Sequence, residues 1–173
     1  MFKQQRFGHD PALFQEAGDI NQQANAGLIS YDDFVRQVAT LAGIPATQLD
    51  ALLDDRVANK PLFDYIAELK PRYKIGMLSN AAGDWLLQMF SAEQVALFDT
   101  IVLSFQTGLV KPFPEAYEDA AHKLGVLPEE CVFIDDQERY VTAAHEAGMQ
   151  AFVYTDMPQL TADLAPLLAD SKN

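Results

Sequence analysis

The spacing of apolar residues changes near residue 60. Before that point apolar residues recur at helical spacing and no convincing strand pattern occurs. One such helical face consists of Phe34, Val35, Val38 and Leu41. Ser30 followed by Asp33 is the capping-box pattern that begins a helix, and Gly43 is placed to end it. We therefore predict that residues 1–59 form a small, all-helical region.

Beyond Pro71, short and nearly continuous apolar runs alternate with helical patterns. The runs, rich in β-branched residues, are 74–78, 100–104, 131–134 and 151–154. The helical patterns between them are 85–90, 115–124 and 141–147. Strands that alternate with helices predict a doubly wound parallel sheet covered on both faces. Residues 60–173 are therefore predicted to form an α/β core of Rossmann-like type.

Composition and charge narrow the expected partners. The 173 residues are 49% apolar, enough for a sizeable core, and carry a formal net charge of −13. A field of that sign repels nucleic-acid phosphates and anionic lipid headgroups, so we expect neither nucleic acid nor a membrane as partner. Cys131 is the single cysteine, so no internal disulfide forms. We expect a cytoplasmic protein.

Polar residues follow three of the four predicted strands. Ser79 and Asn80 follow the first, Lys111 lies beyond the second, and Asp135 and Asp136 follow the third. Because ligands of parallel sheets bind beyond the carboxyl ends of the strands, we expect these residues at one edge. Ser79 and nearby backbone N–H groups suit phosphate oxygens, and Lys111 suits the charge of a transferring phosphoryl group. The paired carboxylates suit an oxygen-loving divalent cation such as Mg²⁺.

The order and spacing of these strand ends resemble the haloacid dehalogenase superfamily, which is dominated by phosphatases. The segment IGMLSN matches its second motif, residues 104–117 match its third motif (S-x-x-x-G-x-x-K-P-x-P-x-x-Y), and FIDD matches its fourth. The resemblance implies that Ser79 is a phosphate ligand and Lys111 a catalytic cation. It implies that Asp136 is the direct metal ligand, with Asp135 beside it. It also implies that the N-terminal helices are a cap that selects the substrate.

The family's first motif has no match in these 173 residues. That motif is an apolar strand followed by Asp-x-Asp, whose first aspartate attacks phosphorus. Asp10 and Asp19 follow no apolar strand and are interpreted as turn or cap residues. In the family this strand lies mid-sheet, between the strands predicted at 74–78 and 131–134. We therefore expect open strand edges there, and a chain that is a fragment, a marginally stable remnant, or one completed by a dimer or a strand-donating partner.

The fourth motif also departs from the family pattern. The family commonly has Asn or Asp four places after the second aspartate, where this chain has Tyr140. A tyrosine cannot replace a carboxylate or amide as a hard oxygen ligand. Gln137 and Glu138 are the neighbouring polar residues that would compensate.

The resemblance implies a phosphoric monoester hydrolase that uses Mg²⁺ on a small phosphorylated metabolite. We expect residues 1–173 alone to be inactive, because no nucleophile is matched. A non-catalytic protein of the same fold that binds a phosphorylated metabolite is the alternative, and Tyr140 mildly favours it. A 2-haloacid dehalogenase needs no metal and leaves the paired aspartates unexplained. A receiver-like or nucleotide-binding module leaves the Ser79, Lys111 and Asp136 set unexplained, and no Walker or dinucleotide glycine pattern is present.

Overall fold

A computed structural model of the chain describes residues 2–53, 57–84 and 89–170. The helices are α1 Phe2–Phe7, α2 Pro11–Asn25, α3 Tyr31–Ala42, α4 Ala46–Leu53, α5 Lys60–Leu69, α6 Ala92–Val95, α7 Ser104–Thr107, α8 Pro114–Leu124, α9 Glu138–Glu146 and α10 Met157–Asp170, with a 3₁₀ turn at Pro128–Glu130. The strands are β1 Gly76–Ser79, β2 Thr100–Leu103, β3 Val132–Asp135 and β4 Gln150–Val153. The predicted α/β class is confirmed, and each strand begins or ends within two residues of its predicted run. Residues 85–88 of the helix predicted at 85–90 lie outside the described part of the chain.

The predicted ends of α3 are both confirmed. The Ser30 hydroxyl accepts a hydrogen bond from the Asp33 backbone N–H at 3.1 Å, which satisfies one of the unpaired donors at the start of the helix. Gly43 ends the helix with φ of 64°, a left-handed conformation that glycine adopts without steric cost. Between these ends, α3 buries one face in the core of the N-terminal helices.

Asp10 and Asp19 have different local roles. Asp10 caps α2, since its Oδ1 accepts hydrogen bonds from the backbone N–H groups of Ala12 and Leu13. The interpretation of Asp10 as a cap residue is therefore confirmed. For Asp19 the interpretation as a turn or cap residue is wrong, because Asp19 lies inside α2 and accepts a hydrogen bond from Gln15 at 2.7 Å.

The described chain folds as two compact units. The first contains the described residues of 1–58, 79–95 and 102–110, and the second those of 59–78, 96–101 and 111–173. The first unit is built on α1 to α4, whose apolar faces meet in one buried cluster. That cluster consists of Phe7, Ala17, Ile20, Val35, Val38, Ala39, Ala42 and Leu49. In the same unit Gly27 approaches α7 closely, since a Cβ there would lie 2.4 Å from the Phe105 carbonyl oxygen.

The second unit has its own core under β3 and β4. These two strands pair in parallel, with Val132 opposite Gln150 and Asp135 opposite Val153. The buried cluster beside them comes from α8, α9, β4 and the turn that precedes β4, and consists of Tyr117, Ala121, Val141, Ala143, Ala144, Met149 and Ala151. Because this core supports the end of β3, it fixes the position of Asp135.

The described strands form two separate two-stranded sheets, one of β1 with β2 and one of β3 with β4. Leu78 of β1 and Phe133 of β3 both pack against the core of the second unit, yet each remains half-buried. Two-stranded sheets are marginally stable, and their unpaired edges offer hydrogen-bonding groups to a further strand. Among the described strands, β1 and β3 therefore each keep an unpaired edge.

Asp99 fixes the approach to β1. Its Oδ2 accepts a hydrogen bond from the Ile75 backbone N–H at 2.7 Å, and its own N–H donates to the Ile75 carbonyl at 2.7 Å. The ammonium of Lys70 lies 2.6 Å from Asp99 Oδ1. The hydrogen bond from Lys70, followed by that from Ile75, lowers the pKa of Asp99. The two hydrogen bonds between Asp99 and Ile75 link the residue that precedes β2 to the residue that precedes β1.

None of the helices in the described ranges combines the length and apolar character that crossing a bilayer requires.

Replacing Ser30 tests whether its cap stabilises the first unit. The change Ser30→Ala should lower the free energy of unfolding by about 1 kcal/mol, because the Asp33 N–H loses its acceptor. Thr40→Ala, at an exposed position of the same helix, is the control and should change it by less than about 0.5 kcal/mol. Urea unfolding followed by circular dichroism measures both. Equal stability of the two variants would contradict the role of the cap.

Candidate functional site

The candidate site contains a buried ion pair. Lys111 lies four residues beyond the end of α7, and Asp135 is the last residue of β3. The Lys111 ammonium donates to Asp135 Oδ2 at 2.5 Å, and the two side chains are only 7% and 9% exposed. A buried charge is costly unless it is paired, so each of these residues stabilises the other in its place. The prediction that Lys111 and the third strand end converge is confirmed for this pair.

Two aromatic rings surround the Lys111 ammonium. Its Nζ lies 4.8 Å from the ring centroid of Tyr140 and 5.4 Å from that of Phe133. Both distances fall within the range of cation–π attraction. Tyr117 packs edge-on against Phe133 at 5.2 Å and donates its hydroxyl to the Tyr140 carbonyl at 2.9 Å. Burial raises the pKa of Tyr117, so its hydroxyl remains a donor at working pH.

The two adjacent carboxylates differ in their surroundings. Asp135 uses both oxygens, because Oδ1 accepts from the Gln137 backbone N–H at 2.9 Å while Oδ2 accepts from Lys111. Asp136 is exposed, and within the described part of the chain its carboxylate has no hydrogen bond or ion pair. Asp136 is therefore the carboxylate that is open to a ligand from solvent.

A divalent cation fits this donor set in part. Residues 2–53, 57–84 and 89–170 contain no group of three or more His, Cys, Asp or Glu side chains that could hold a metal. Asp135 and Asp136 supply hard oxygen donors. Mg²⁺ is commonly bound through one or two carboxylates, with water and phosphate oxygens in its other positions. The pair therefore suits Mg²⁺ better than it suits a metal that needs a closed protein cage.

Ser79 and Asn80 lie at the end of another strand. Ser79 is the last residue of β1, Asn80 follows it, and both are half-buried. They belong to the first compact unit, whereas Lys111, Asp135 and Asp136 belong to the second. Of the five predicted site residues, the structure thus brings Lys111 and Asp135 into contact, with Asp136 adjacent to them in the chain.

The segment after Asn80 is held by a residue whose role the sequence did not reveal. Ser104 is fully buried, and its hydroxyl accepts a hydrogen bond from the Ala81 backbone N–H at 3.0 Å. The same hydroxyl donates to the Ala81 carbonyl at 3.4 Å. Ser104 opens the third motif, and this contact gives it a structural role at the end of β1.

The aromatic surroundings of Lys111 were also missed, although one signal for them was available. Phe133 precedes Asp135 by two residues in β3, so their side chains share a face of the strand. Tyr140 gave no such signal, because its place depends on how α9 packs on the strand. Gln137 was considered as a substitute for a polar ligand, whereas its backbone N–H binds Asp135.

Comparison with known families places the described site within a matched region of the chain. A family model described as haloacid dehalogenase-like hydrolase matches residues 58–154. The matched region includes β1 to β4 and all five predicted site residues.

Two phosphatases are among the similar proteins. The D-ribitol-5-phosphate phosphatase of Bacteroides thetaiotaomicron is 29% identical over 156 residues, covering 83% of this chain and 72% of that protein. The glyceraldehyde 3-phosphate phosphatase of Methanopyrus kandleri is 40% identical over 53 residues, covering 30% of this chain and 23% of that protein.

A solved structure extends the similarity to the fold. It is a wild-type HAD family enzyme from Bacteroides thetaiotaomicron in complex with magnesium and inorganic phosphate. The two structures align with a TM-score of 0.72 at 26% identity, over 92% of this chain and 87% of the other.

Replacing Ser104 tests its structural role. Ser104→Ala should lower the free energy of unfolding by about 1–3 kcal/mol, because the Ala81 N–H becomes a buried donor with no acceptor. Ser91→Ala is the control, since the Ser91 hydroxyl accepts a backbone N–H at an exposed site and its loss should cost about 0.5 kcal/mol. Denaturant unfolding measures both. A Ser104→Ala chain as stable as Ser91→Ala would show that the buried contact is dispensable.

Proposed function

This chain belongs to the haloacid dehalogenase-like hydrolases, and we propose that it carries the phosphate- and metal-binding residues of a Mg²⁺-dependent phosphatase. The proposed substrate is a small phosphate monoester. The observation that carries the proposal is the buried Lys111–Asp135 pair beside the open carboxylate of Asp136. The similarity to a D-ribitol-5-phosphate phosphatase and a glyceraldehyde 3-phosphate phosphatase supports this substrate class.

Lys111 is the residue proposed to bind the substrate phosphate. A lysine is a compact cation with three donors, so it can bind a phosphate oxygen while it keeps its bond to Asp135. Its burial strengthens this interaction, because water screens the charge less at a buried site. The formal net charge of −13 makes such a local cation necessary for an anionic substrate.

Asp136 and Asp135 are proposed to hold Mg²⁺, with Asp136 as the direct ligand. When bound, the ion neutralises charge on the phosphate oxygens. Asp135 is already committed to Lys111 and to the Gln137 N–H, which favours Asp136 for direct coordination. The magnesium and phosphate bound to the similar Bacteroides enzyme support the choice of ion.

Ser79 and Asn80 are proposed as further phosphate contacts. Their support is the family sequence pattern together with the place of Ser79 at the carboxyl end of β1. Residues 1–59 are proposed as the cap that selects the metabolite, and residues 60–173 as the core. The apolar cluster of α1 to α4 shows that these helices have a core of their own, as a cap requires.

The nucleophile is proposed to lie on a strand that pairs between β1 and β3. The open edges of the two described sheets support this proposal. Asp10 is used as a helix cap and Asp19 lies on α2, so neither follows a strand. A further part of the polypeptide, a second copy or a partner chain would supply the strand, and residues 1–173 alone would bind phosphate without turnover.

A non-catalytic binding protein of the same fold is the second candidate. Tyr140 favours it, because this buried ring stands where the family commonly has a polar residue. Both candidates bind phosphate through Lys111. They differ in whether a completed sheet turns substrate over.

Two substitutions test the proposed binding of phosphate and Mg²⁺. With Mg²⁺ present, Lys111→Met should weaken phosphate binding by about ten- to a hundredfold, the loss of one charge-assisted hydrogen bond. Asp136→Asn should weaken Mg²⁺ binding. Titration calorimetry measures both affinities, with circular dichroism as a check on folding.

The matched controls for this experiment are Lys123→Met and Asp119→Asn. Lys123 and Asp119 form an ion pair at 2.7 Å on α8, where both side chains are partly exposed. These changes should leave both affinities unaltered. Equal losses in the two sets, or full phosphate affinity in Lys111→Met, would refute the assigned site.

A further prediction concerns the strand proposed to pair between β1 and β3. A peptide of about six apolar, β-branched residues ending in Asp-x-Asp should raise the melting temperature of residues 1–173, because it pairs with open edges. For a phosphatase it should also restore Mg²⁺-dependent hydrolysis of p-nitrophenyl phosphate. The same peptide with its first Asp replaced by Asn should stabilise without turnover. Stabilisation with no turnover from either peptide would favour the non-catalytic candidate.

The following result would contradict the proposal of an additional strand. Residues 1–173 would melt cooperatively as a monomer at about 45–65 °C, the usual mesophile range, and would ignore the peptide. That result would show that β1 and β3 need no added strand.

A further inference from the structure

Tyr140 makes three separate contacts around the ion pair. Its ring is 4.8 Å from the Lys111 ammonium, its hydroxyl accepts from Arg139 Nη2 at 2.9 Å, and its carbonyl accepts from the Tyr117 hydroxyl at 2.9 Å. The side chain is buried although it begins on an otherwise exposed first turn of α9. The buried ring of Tyr140 therefore contacts charged groups as well as the apolar core.

These contacts belong to a closed circuit. Starting from Asp135, the contacts run through Gln137, Arg139, Tyr140 and Lys111 and return to Asp135. The Gln137 N–H binds Asp135 Oδ1, and Gln137 Oε1 accepts from Arg139 at 2.8 and 3.1 Å. Arg139 binds the Tyr140 hydroxyl, the Tyr140 ring faces Lys111, and Lys111 binds Asp135 Oδ2.

We propose that Tyr140 is a positioning residue, whose ring holds the Lys111 ammonium against Asp135 so that it meets the substrate phosphate. The proposal rests on the proposed function only for the phosphate. The contact of the ring with Lys111 stands on the geometry.

A ring suits this role for a physical reason. A lysine side chain has four rotatable bonds, so contacts in addition to the hydrogen bond with Asp135 further restrict its ammonium. A carboxylate at position 140 would compete with the phosphate for the ammonium and add negative charge. The face of a tyrosine ring attracts a cation without offering a second carboxylate. The ring of Tyr140 thereby helps to hold the Lys111 ammonium in place.

The ring is itself held from two sides. Arg139 stacks on it at 4.5 Å from guanidinium carbon to ring centroid, in addition to its bond to the hydroxyl. The fully buried Tyr117 holds the backbone of Tyr140. Because the ring is fixed, it restricts the lysine rather than following it.

The test measures how well Lys111 is held, independently of catalysis. Mass spectrometry follows the acetylation rate of Lys111 at one pH, with Lys60 as an exposed internal reference, since its side chain is 79% exposed. Tyr140→Leu should raise the Lys111 rate by about two- to thirtyfold, the range expected for one cation–π contact. Tyr140→Phe should stay within about twofold of wild type, because it keeps the ring face.

Two further comparisons separate a π contact from packing. Phenylalanines with an increasing number of ring fluorines at position 140 keep the shape of the side chain but weaken its cation attraction, so the Lys111 rate should rise stepwise. This series also serves if Tyr140→Leu fails to fold. Tyr73→Leu is the matched control, because the Tyr73 ring faces Arg72 at 5.4 Å and should leave the Lys111 rate unchanged.

The affinity for inorganic phosphate with Mg²⁺ completes the test. It should fall in Tyr140→Leu and along the fluorinated series, and return in Tyr140→Phe. A flat Lys111 rate along the series, or a Tyr140→Leu rate equal to wild type, overturns the role of Tyr140. Wild-type protein that fails to bind phosphate overturns the proposed function instead, and the acetylation rates still decide the positioning role.

Discussion

The burial of one ammonium group constrains most of the candidate site. Taking Lys111 out of water is unfavourable unless a charge of opposite sign and suitable surroundings replace its hydration. Asp135 provides the charge at 2.5 Å, and the ring centroids of Phe133 and Tyr140 lie 5.4 and 4.8 Å from the ammonium. The end of β3 and the first turn of α9 must therefore keep a fixed position relative to each other, because these contacts tolerate little displacement. The core of the second unit, which includes the fully buried Tyr117, supplies that rigidity.

The same constraint bears on the proposed recognition of an anionic substrate by an acidic chain. At a formal net charge of −13 the surface as a whole repels phosphate, so recognition depends on a cation placed where solvent screens it little. In the proposed function Lys111 is that cation, and the exposed carboxylate of Asp136 is the proposed ligand of a second cation from solution. The two open sheet edges add a structural condition. The strands that carry Ser79 and Asp135 are each paired with one other strand among the described residues, which leaves each an edge for the proposed additional strand.

Local chemistry was readable from the sequence, and packing was not. The ends of α3 follow from Ser30 and Gly43 alone, because caps depend on a few adjacent residues. The contact of Lys111 with the third strand end follows from the rule that parallel strands end at one edge. The role of Tyr140 depends on the packing of α9, and that of Ser104 on a contact between segments 23 residues apart. Asp19 was misjudged because Gly18, a common turn residue, lies within α2.

The most direct test of the account is a crystal structure of the protein grown with inorganic phosphate and with Mn²⁺ in place of Mg²⁺. The account predicts an anomalous peak at coordination distance from the Asp136 carboxylate. It also predicts a phosphate oxygen within about 3 Å of Lys111 Nζ, with Lys111 still bonded to Asp135. A phosphate bound elsewhere, or a Lys111 side chain turned into solvent away from Asp135, would contradict it.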